Sequence, residues 1–527
     1  MAITGQEDGR RSGLLQRRNA PDWLILALAC VAQFMVVLDV SVVNVALPSI
    51  GRDLHYSPIG LQWVVNAYVL TFAGFLLLGG RAADSFGRRR IFLAGLFLFT
   101  LTSLLGGLAQ SSGWLTVARA MQGIGGAALS PATLTIVITT FSGARLARAL
   151  GLWSAVGGAG GAIGVLLGGV LTAELSWRWV LYINVPIGLV AGAAAIVYLS
   201  EARGTGPRQR LDVPGAVTVT AGLASLVYAI VGTDQYAWGS AHTLGWLAAA
   251  VVLLVVFFTL QVRGKAPLMP LRLFRIRGVS GANIVMFLVG AVFFSMWYFL
   301  SLYLQDVLRY GPLRAGLAFL PMGIAIIIGA QATSRAMPRT GIRPLLFTGT
   351  ALVSAGFFWL SQIGPGSHYW GAVFGPGVMI SFALGVLFPP LASAATMGVG
   401  RSEAGLASGL LNTARQVGGS LGLAILATLA TTHTHALERT GLSTGSALAE
   451  GFARAFLVGG ILGIAALLAS FVVPRGSGRS TPTANQADDS HATAGNVPSG
   501  NVPSGNVPSG NVPSGNVPSG LTTVAEG

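Results

Sequence analysis

The stretch FMVVLDVSVVNVALP, residues 34–48, sets one carboxylate, Asp39, in the middle of an apolar run that begins at Trp23. A charged side chain near the centre of a bilayer costs about 2.5–3.5 kcal/mol on insertion scales, so such a residue is expected to face protein or water and to have a task. That cost applies only if the run crosses a membrane, and composition decides the matter. The chain has 527 residues, 53% hydrophobic and only 9% charged, with a mean hydropathy of +0.69. A soluble domain carries roughly 25% charged residues, so a soluble protein is excluded.

The first twenty residues are polar and basic. The run after them is too long for a signal peptide and lacks a small-residue cleavage site, so it reads as a retained span. The single cysteine, Cys30, lies in that run and has no partner for an intramolecular disulfide or a metal cluster. His433 and His435 have no further ligands near them in sequence, and no Walker loop is present. The expectation is therefore no metal, no cofactor, no enzyme activity and no ATP hydrolysis by the chain itself.

A spanning helix needs about 20 apolar residues. That ruler predicts fourteen spans, near 23–47, 61–80, 91–110, 114–140, 149–171, 178–199, 213–233, 243–262, 281–304, 313–333, 345–363, 370–397, 405–430 and 453–474. Arg10, Arg11, Arg17 and Arg18 precede the first. Arg81, Arg88 to Arg90, Arg145, Arg148, Arg203, Arg208, Arg210, Arg263, Lys265, Arg272, Arg275, Arg277, Arg335, Arg339, Arg343, Arg401, Arg475 and Arg479 fall on the same side, against six arginines opposite: Arg52, Arg178, Arg309, Arg314, Arg439 and Arg454. The positive-inside rule then puts both termini in the cytoplasm of a multi-pass protein in the plasma membrane. The net charge of +15 is a topology signal, and nucleic-acid binding is not needed to explain it. Arg119 and Arg415 fall inside predicted spans and join Asp39 as charges that need explaining.

A shift of 254 residues lays GRAADSFGRRRIFLAG (80–95) over SRAMPRTGIRPLLFTG (334–349), matching Gly87 with Gly341 and Arg89 with Arg343. Each loop follows the second helix of its half. The repeat predicts an N-terminal segment (1–22), a six-helix bundle (23–199), two inserted helices with their flanking loops (200–278), a second six-helix bundle (279–474) and a tail (475–527). NVPSG repeats five times in that tail, from Asn496 to Gly520, a polar Pro/Gly-rich pattern expected to be disordered.

The loop GRAADSFGRRR spaces Gly80, Asp84 and Gly87 ahead of its arginines, a pattern suited to close helix approach, a pairing or capping carboxylate and a tight turn. It resembles the signature loop after the second helix in the major facilitator superfamily. LDVSVVNVALP (38–48), RAMQGIGGA (119–127), WRWVLYINVPIG (177–188), LDVPG (211–215), LYLQDVL (302–308), AGLAFLP (315–321) and GLASGLLNTARQVGGSLG (405–422) are similar to its fourteen-helix drug:proton antiporter branch, the EmrB/QacA-like group. The resemblance covers residues 20–474. It implies an all-α transporter with two six-helix bundles and two inserted helices, a conformational latch at Gly80, Asp84, Gly87, Arg88 and Arg89, and proton coupling through Asp39 and Arg119. An antiporter-like packing motif falls at Gly164, Gly168 and Gly169, with Val165 where the family usually has proline.

The residues alone agree in outline. Burial favours the neutral form of a carboxylate and a neighbouring arginine the charged form, so a site balanced between them can exchange a proton as a cavity opens to either side. A structural anchor is the other role open to Asp39, and carbonyl bonding the other role open to Arg119. Trp63, Tyr68, Gln122, Asn412 and Arg415 are candidates for a substrate cavity. Arg415, with Asn412 on nearly the same helix face, could bind an anionic group or brace the second half. The expected activity is proton-driven efflux of lipophilic, cationic or aromatic organic compounds such as drugs and antibiotics. A dedicated exporter of one metabolite and a non-transporting receptor or scaffold are the competing readings. Small organic molecules, protons and the bilayer are the expected partners, with oligomeric state unread.

Overall fold

The computed structural model describes residues 21–199, 211–264, 266–400 and 403–475. The NVPSG repeats, most of the segments expected at 1–22 and 475–527, and Arg10 to Arg18, Arg203 to Arg210, Lys265, Arg401 and Arg479 lie outside the described residues.

The described chain is a succession of helices. In order they are α1 (Asp22–Asp53), α2 (Trp63–Phe86), α3 (Arg88–Gly107), α4 (Ser112–Thr140), α5 (Gly143–Glu174), α6 (Trp179–Tyr182) and α7 (Asn184–Tyr198). After these come α8 (Val213–Gly232), α9 (Ala241–Arg263), α10 (Arg277–Leu302), α11 (Pro312–Thr340), α12 (Ile342–Leu360), α13 (Gly375–Thr396), α14 (Ala404–Arg439) and α15 (Thr444–Ala469). A π-helical turn, Tyr303–Val307, extends α10, and another, Tyr369–Phe374, leads into α13. Lipid offers the backbone no hydrogen bonds, so a chain this apolar must satisfy its own, and helices do so within one segment.

Fourteen helical crossings result, one for each predicted span, with two departures. The sixth, expected as one helix over 178–199, is broken between α6 and α7 at Ile183. Pro186 has no N–H to give the Tyr182 carbonyl, which ends the first piece. The thirteenth, expected over 405–430, is a helix, α14, yet only the other thirteen crossings are long and apolar enough to span on composition alone. α14 carries Asn412, Arg415 and Gln416, and it is enclosed by α2, α8, α10, α13 and α15. Its polar side chains meet protein instead of lipid.

Short polar residues close several helix starts, as their types predict. Ser111, Ser240 and Ser443 accept from the backbone of Trp114, Thr243 and Ser446. In LDVPG, Asp212 Oδ1 accepts from Gly215 N at 2.9 Å, and its Oδ2 accepts from Gln261 Nε2 at 2.8 Å. The motif thereby ties the start of α8 to the end of α9.

α1 packs on α5, α2 and α3 on α4, and α3 on α7; α14 packs on α10 and α15, and α13 on α11 and α12. The pair α8 and α9 joins the rest through α2 and α14. Helices of the first and second halves meet at α1–α10, α2–α14 and α5–α11. Glycine makes the last of these close: a Cβ on Gly169 would stand 2.7 Å from the Pro312 carbonyl oxygen, and one on Gly316 2.9 Å from that of Val165. Gly164 and Gly168 turn the other way, their missing Cβ atoms 2.7 Å from Ser41 Cβ and from Val42 O on α1. α5 is thus a glycine-faced plate between α1 and α11. The α5–α11 seam lies towards the arginine-poor ends, where Ser301 Oγ and Gln305 Nε2 also donate to Asn44 O and Val45 O. The α2–α14 contact runs further, from Asn66 with Ser420 to Leu77 with Gly409.

The predicted loop repeat has a structural counterpart. Gly87 links α2 to α3 at φ +101°, and Gly341 links α11 to α12 at φ +79°. Arg89 Nη2 donates to Ile196 O on α7 at 2.7 Å, and Arg343 Nη2 to Phe471 O just after α15 at 3.3 Å. In each half, a basic residue two places after the glycine fastens the loop to the end of that half's last helix. A left-handed φ costs a residue with a Cβ about 1–3 kcal/mol. Gly87→Ala and Gly341→Ala should each lower the thermal unfolding temperature by a corresponding amount. Gly113→Ala, in the first turn of α4 with nothing within 4 Å of the added methyl, should leave it unchanged or slightly raised.

Candidate functional site

Asp39 sits mid-way along α1 with 0% of its surface exposed, and Arg119, in the second turn of α4, is 2% exposed. Arg119 Nη1 donates to Asp39 Oδ2 at 2.6 Å. Two amides complete the carboxylate: Gln122 Nε2 donates to Oδ1 at 2.8 Å and Asn184 Nδ2 to the same oxygen at 3.0 Å. Both amides also donate to Ser103 Oγ, at 3.2 and 3.0 Å, and Ser103 in turn donates to Leu181 O at 2.8 Å. Five helices contribute, since Arg119 Nε reaches Val64 O on α2 at 3.1 Å and its guanidinium lies 4.4 Å from the Tyr68 ring centroid.

Local sequence explains the convergence. Arg119 and Gln122 are three apart and share a face of α4, and Nη1 also donates to Gln122 Oε1 at 2.7 Å. Asn184 is the first residue of α7, so the break ahead of Pro186 sets it at a helix start inside the protein. Gly123 lets α4 lie against α2: a Cβ there would be 2.4 Å from Tyr68 O. That closeness brings Arg119 within reach of Val64.

The network is closed but not saturated. Tyr68 Oη and Asn184 Oδ1 are buried without a hydrogen-bond partner. Such atoms are uncommon in a settled interior, and they give the site spare donor and acceptor capacity. Protonating Asp39 would make one of its oxygens a donor and release Arg119 from its counter-charge.

The expected cavity residues divide into three places. Tyr68 and Gln122 belong to the Asp39 network. Trp63 leans on Tyr228 of α8, ring centroids 6.2 Å apart. Asn412 and Arg415 pair on α14, Arg415 Nη2 to Asn412 Oδ1 at 2.8 Å. Asn44, five residues after Asp39 on α1, donates to the Val40 carbonyl of its own helix at 2.9 Å. Ser103 and Asn184 were not singled out by sequence reasoning. Asn184 stood inside WRWVLYINVPIG, and a carboxamide just before a helix-breaking proline within a span was the available signal.

In the signature loop, Asp84 is exposed in the last turn of α2. It does not cap α3, whose start is formed by Gly87 with no side-chain cap; the capping role open to it in sequence falls away because that glycine intervenes. Gly80 faces Pro131 across ordinary van der Waals distance, 3.7 Å. Among the described residues no group of His, Cys, Asp and Glu could hold a metal ion, and His435 Nδ1 stands 3.5 Å from Asp234 Oδ1.

Residues 29–423 match the Major Facilitator Superfamily as a family. The chain belongs to that superfamily. This major facilitator is 47% identical over 408 residues to the cephamycin export protein CmcT of Amycolatopsis lactamdurans, covering 77% of this chain and 84% of the relative. It is 39% identical to the puromycin resistance protein pur8 of Streptomyces alboniger, covering 86% and 90%. In fold it resembles a crystal structure of a bacterial homologue of the human lysosomal transporter Spinster, with a TM-score of 0.61 at 16% identity over 88% of this chain and 99% of that one. It is a multi-pass membrane transporter, not an enzyme.

A charge left alone in a membrane interior costs about 3–5 kcal/mol when its partner is removed. Arg119→Gln should therefore lower thermal stability sharply, while Asp39→Asn combined with Arg119→Gln should lose much less than the sum of the two single changes. Asn184→Ala, which removes one donor from the carboxylate, should cost about 1–3 kcal/mol. Thermal unfolding of the four purified variants in one detergent checks all three.

Proposed function

We propose that this transporter exports lipophilic, aromatic organic compounds, antibiotics among them, across the plasma membrane in exchange for protons. One observation carries the reading: a fully buried carboxylate, Asp39, whose partners Arg119, Gln122 and Asn184 come from two other helices and next to which two buried oxygens remain unpartnered. The similarity to cephamycin and puromycin exporters or resistance proteins supports export of antibiotics as the cargo class.

The arginine-rich face is cytoplasmic by the positive-inside rule, which leaves both termini in the cytoplasm. The Asp39 network then lies in the outer half of the membrane, since Arg119 is the eighth residue of α4 and Ser103 lies four residues before the end of α3. With the cavity open outward, Asp39 takes up a proton and Arg119 falls back on Gln122, the Val64 carbonyl and the Tyr68 ring. The loosened network lets the bundles at 23–199 and 279–474 rock about their shared seams, α5–α11 and α2–α14, with the helices at 200–278 riding on α2 and α14. Release of the proton inward re-forms the Asp39–Arg119 pair while cargo enters from the cytoplasm. Each proton entering contributes about 2.3 kcal/mol per 100 mV. The loops at Gly80–Arg89 and at Gly341–Arg343 latch helix ends together during this change, and the glycine faces at Gly164, Gly168 and Gly169 allow α5 to slide.

The test is proton and drug flux in liposomes, with internal pH and uptake of cephamycin and puromycin followed together. Wild-type protein should move protons opposite to at least one drug, and folded Asp39→Asn should lose coupled exchange by at least about tenfold. Undiminished exchange in Asp39→Asn would reduce Asp39 to a structural anchor.

A further inference from the structure

The second deep charge is treated differently from the first. Arg415 lies in the fourth turn of α14 and is half-buried. Its one hydrogen bond goes from Nη2 to Asn412 Oδ1, and its Nε is buried without a partner. Among the described residues it forms no ion pair, although Arg119, Arg145, Arg178 and Arg272 each have a carboxylate. On either side in the chain, Thr413 Oγ1 and Gln416 Oε1 are also buried and unpartnered. The Phe388 ring of α13 stands 5.9 Å from the guanidinium carbon.

A bracing arginine spends its donors on carbonyls, as Arg119 does on Val64. Arg415 donates to no backbone carbonyl. Nor does α14 need its side chain to stay in place, because a Cβ on Gly290 would be 2.2 Å from Arg415 O and one on Gly418 2.0 Å from Phe287 O. Backbone packing against α10 already fixes the helix at this level. What is left is a guanidinium with most of its five N–H donors unused, next to a flat ring.

We propose that Arg415, with Asn412 and the Phe388 ring beside it, is an anion-binding subsite of the cargo path, and that the exported compounds include organic anions such as aromatic carboxylates. The inference rests on the export reading for the identity of the ligand. A carboxylate would take two parallel N–H···O bonds from the guanidinium, and an aromatic body would lie against Phe388. The Asp39–Arg119 pair is neutral as a unit, so the interior carries a net positive charge at Arg415. A cationic cargo would meet that charge, and among the described residues no carboxylate pairs with Arg415 to offset it.

The experiment compares two dyes with the same tricyclic aromatic frame and opposite charge, fluorescein and a rhodamine ester. Full-length protein in nanodiscs of phosphatidylcholine, which has no net anionic headgroup to compete, is titrated at neutral pH by fluorescence anisotropy. Wild type should bind fluorescein at least about tenfold more tightly than the rhodamine ester. Arg415→Gln should raise the fluorescein Kd by about tenfold or more and leave the rhodamine ester unchanged or tighter, with Arg415→Lys keeping part of the preference. Equal or weaker binding of fluorescein by wild type overturns the proposal without reference to any variant. So does unchanged fluorescein affinity in Arg415→Gln with a wild-type melting temperature. Fluorescein bound through Arg415 but not moved across liposomes keeps the subsite and removes the export reading instead.

Discussion

An ion pair 2.6 Å long, out of reach of solvent in the membrane, is the contact on which the first half of this structure turns. Either charge buried there without the other would be costly, and the pair by itself would leave most of its lone pairs and N–H groups unmet. The protein answers with amides from α4 and α7, a hydroxyl from α3 and a carbonyl from α2. Each added bond fixes the position of another helix relative to α1. The arrangement of five helices and the electrostatics of one carboxylate are thus a single problem with one solution, and changing the charge on Asp39 alters the terms on which all five are held.

Such precision requires backbones close enough for short side chains to meet. Glycine supplies the closeness. Gly123 sets α4 on α2 next to Gln122, while Gly79, whose Cβ would fall 2.2 Å from Ala127 O, does the same one turn further along α4. On the other face of the half, Gly164 and Gly168 seat α5 on α1 at Leu38, Ser41 and Val42, next to Asp39 in the chain. Lipid gives no hydrophobic reason for helices to associate, so fit and polar contact have to do it. A glycine seam between α5 and α11 has the further property that neither side interlocks by large side chains, so it can separate and re-form.

Much of this was legible in the sequence because the bilayer imposes strong rules. The length of apolar runs predicts the crossings, arginine asymmetry predicts the sides, and the 254-residue shift finds two loops that prove to have the same left-handed glycine and the same arginine anchor. Asp39 and Arg119 stand out because charge is rare in such runs. Asn184 and Ser103 do not, since serine and asparagine occur in spans without comment, and their value lies in which helix they face, a tertiary fact. α14 shows the converse limit: its polarity makes it a poor span by composition, and only its enclosure by five neighbours explains how it can cross. The cavity residues scattered for the same reason, since aromatic side chains in spans serve core, lipid and ligand alike.

The two halves share a loop and differ in their interiors, and that contrast has a physical consequence. In the first, charge is balanced internally and hydrogen-bonded to near completion, which suits a group that must hold or release a small, ubiquitous ion without outside help. In the second, Arg415 has no carboxylate partner among the described residues and its Nε is buried without a hydrogen bond. A duplicated scaffold permits this divergence, because each bundle keeps its own loop anchor and its own glycine contacts whatever stands at its centre. Exchange needs two binding events that oppose each other through one conformational equilibrium. Placing a self-compensated site in one half and an uncompensated one in the other, on helices that meet along α1–α10, α1–α11, α2–α14 and α5–α11, lets each event load a different side of the same seams.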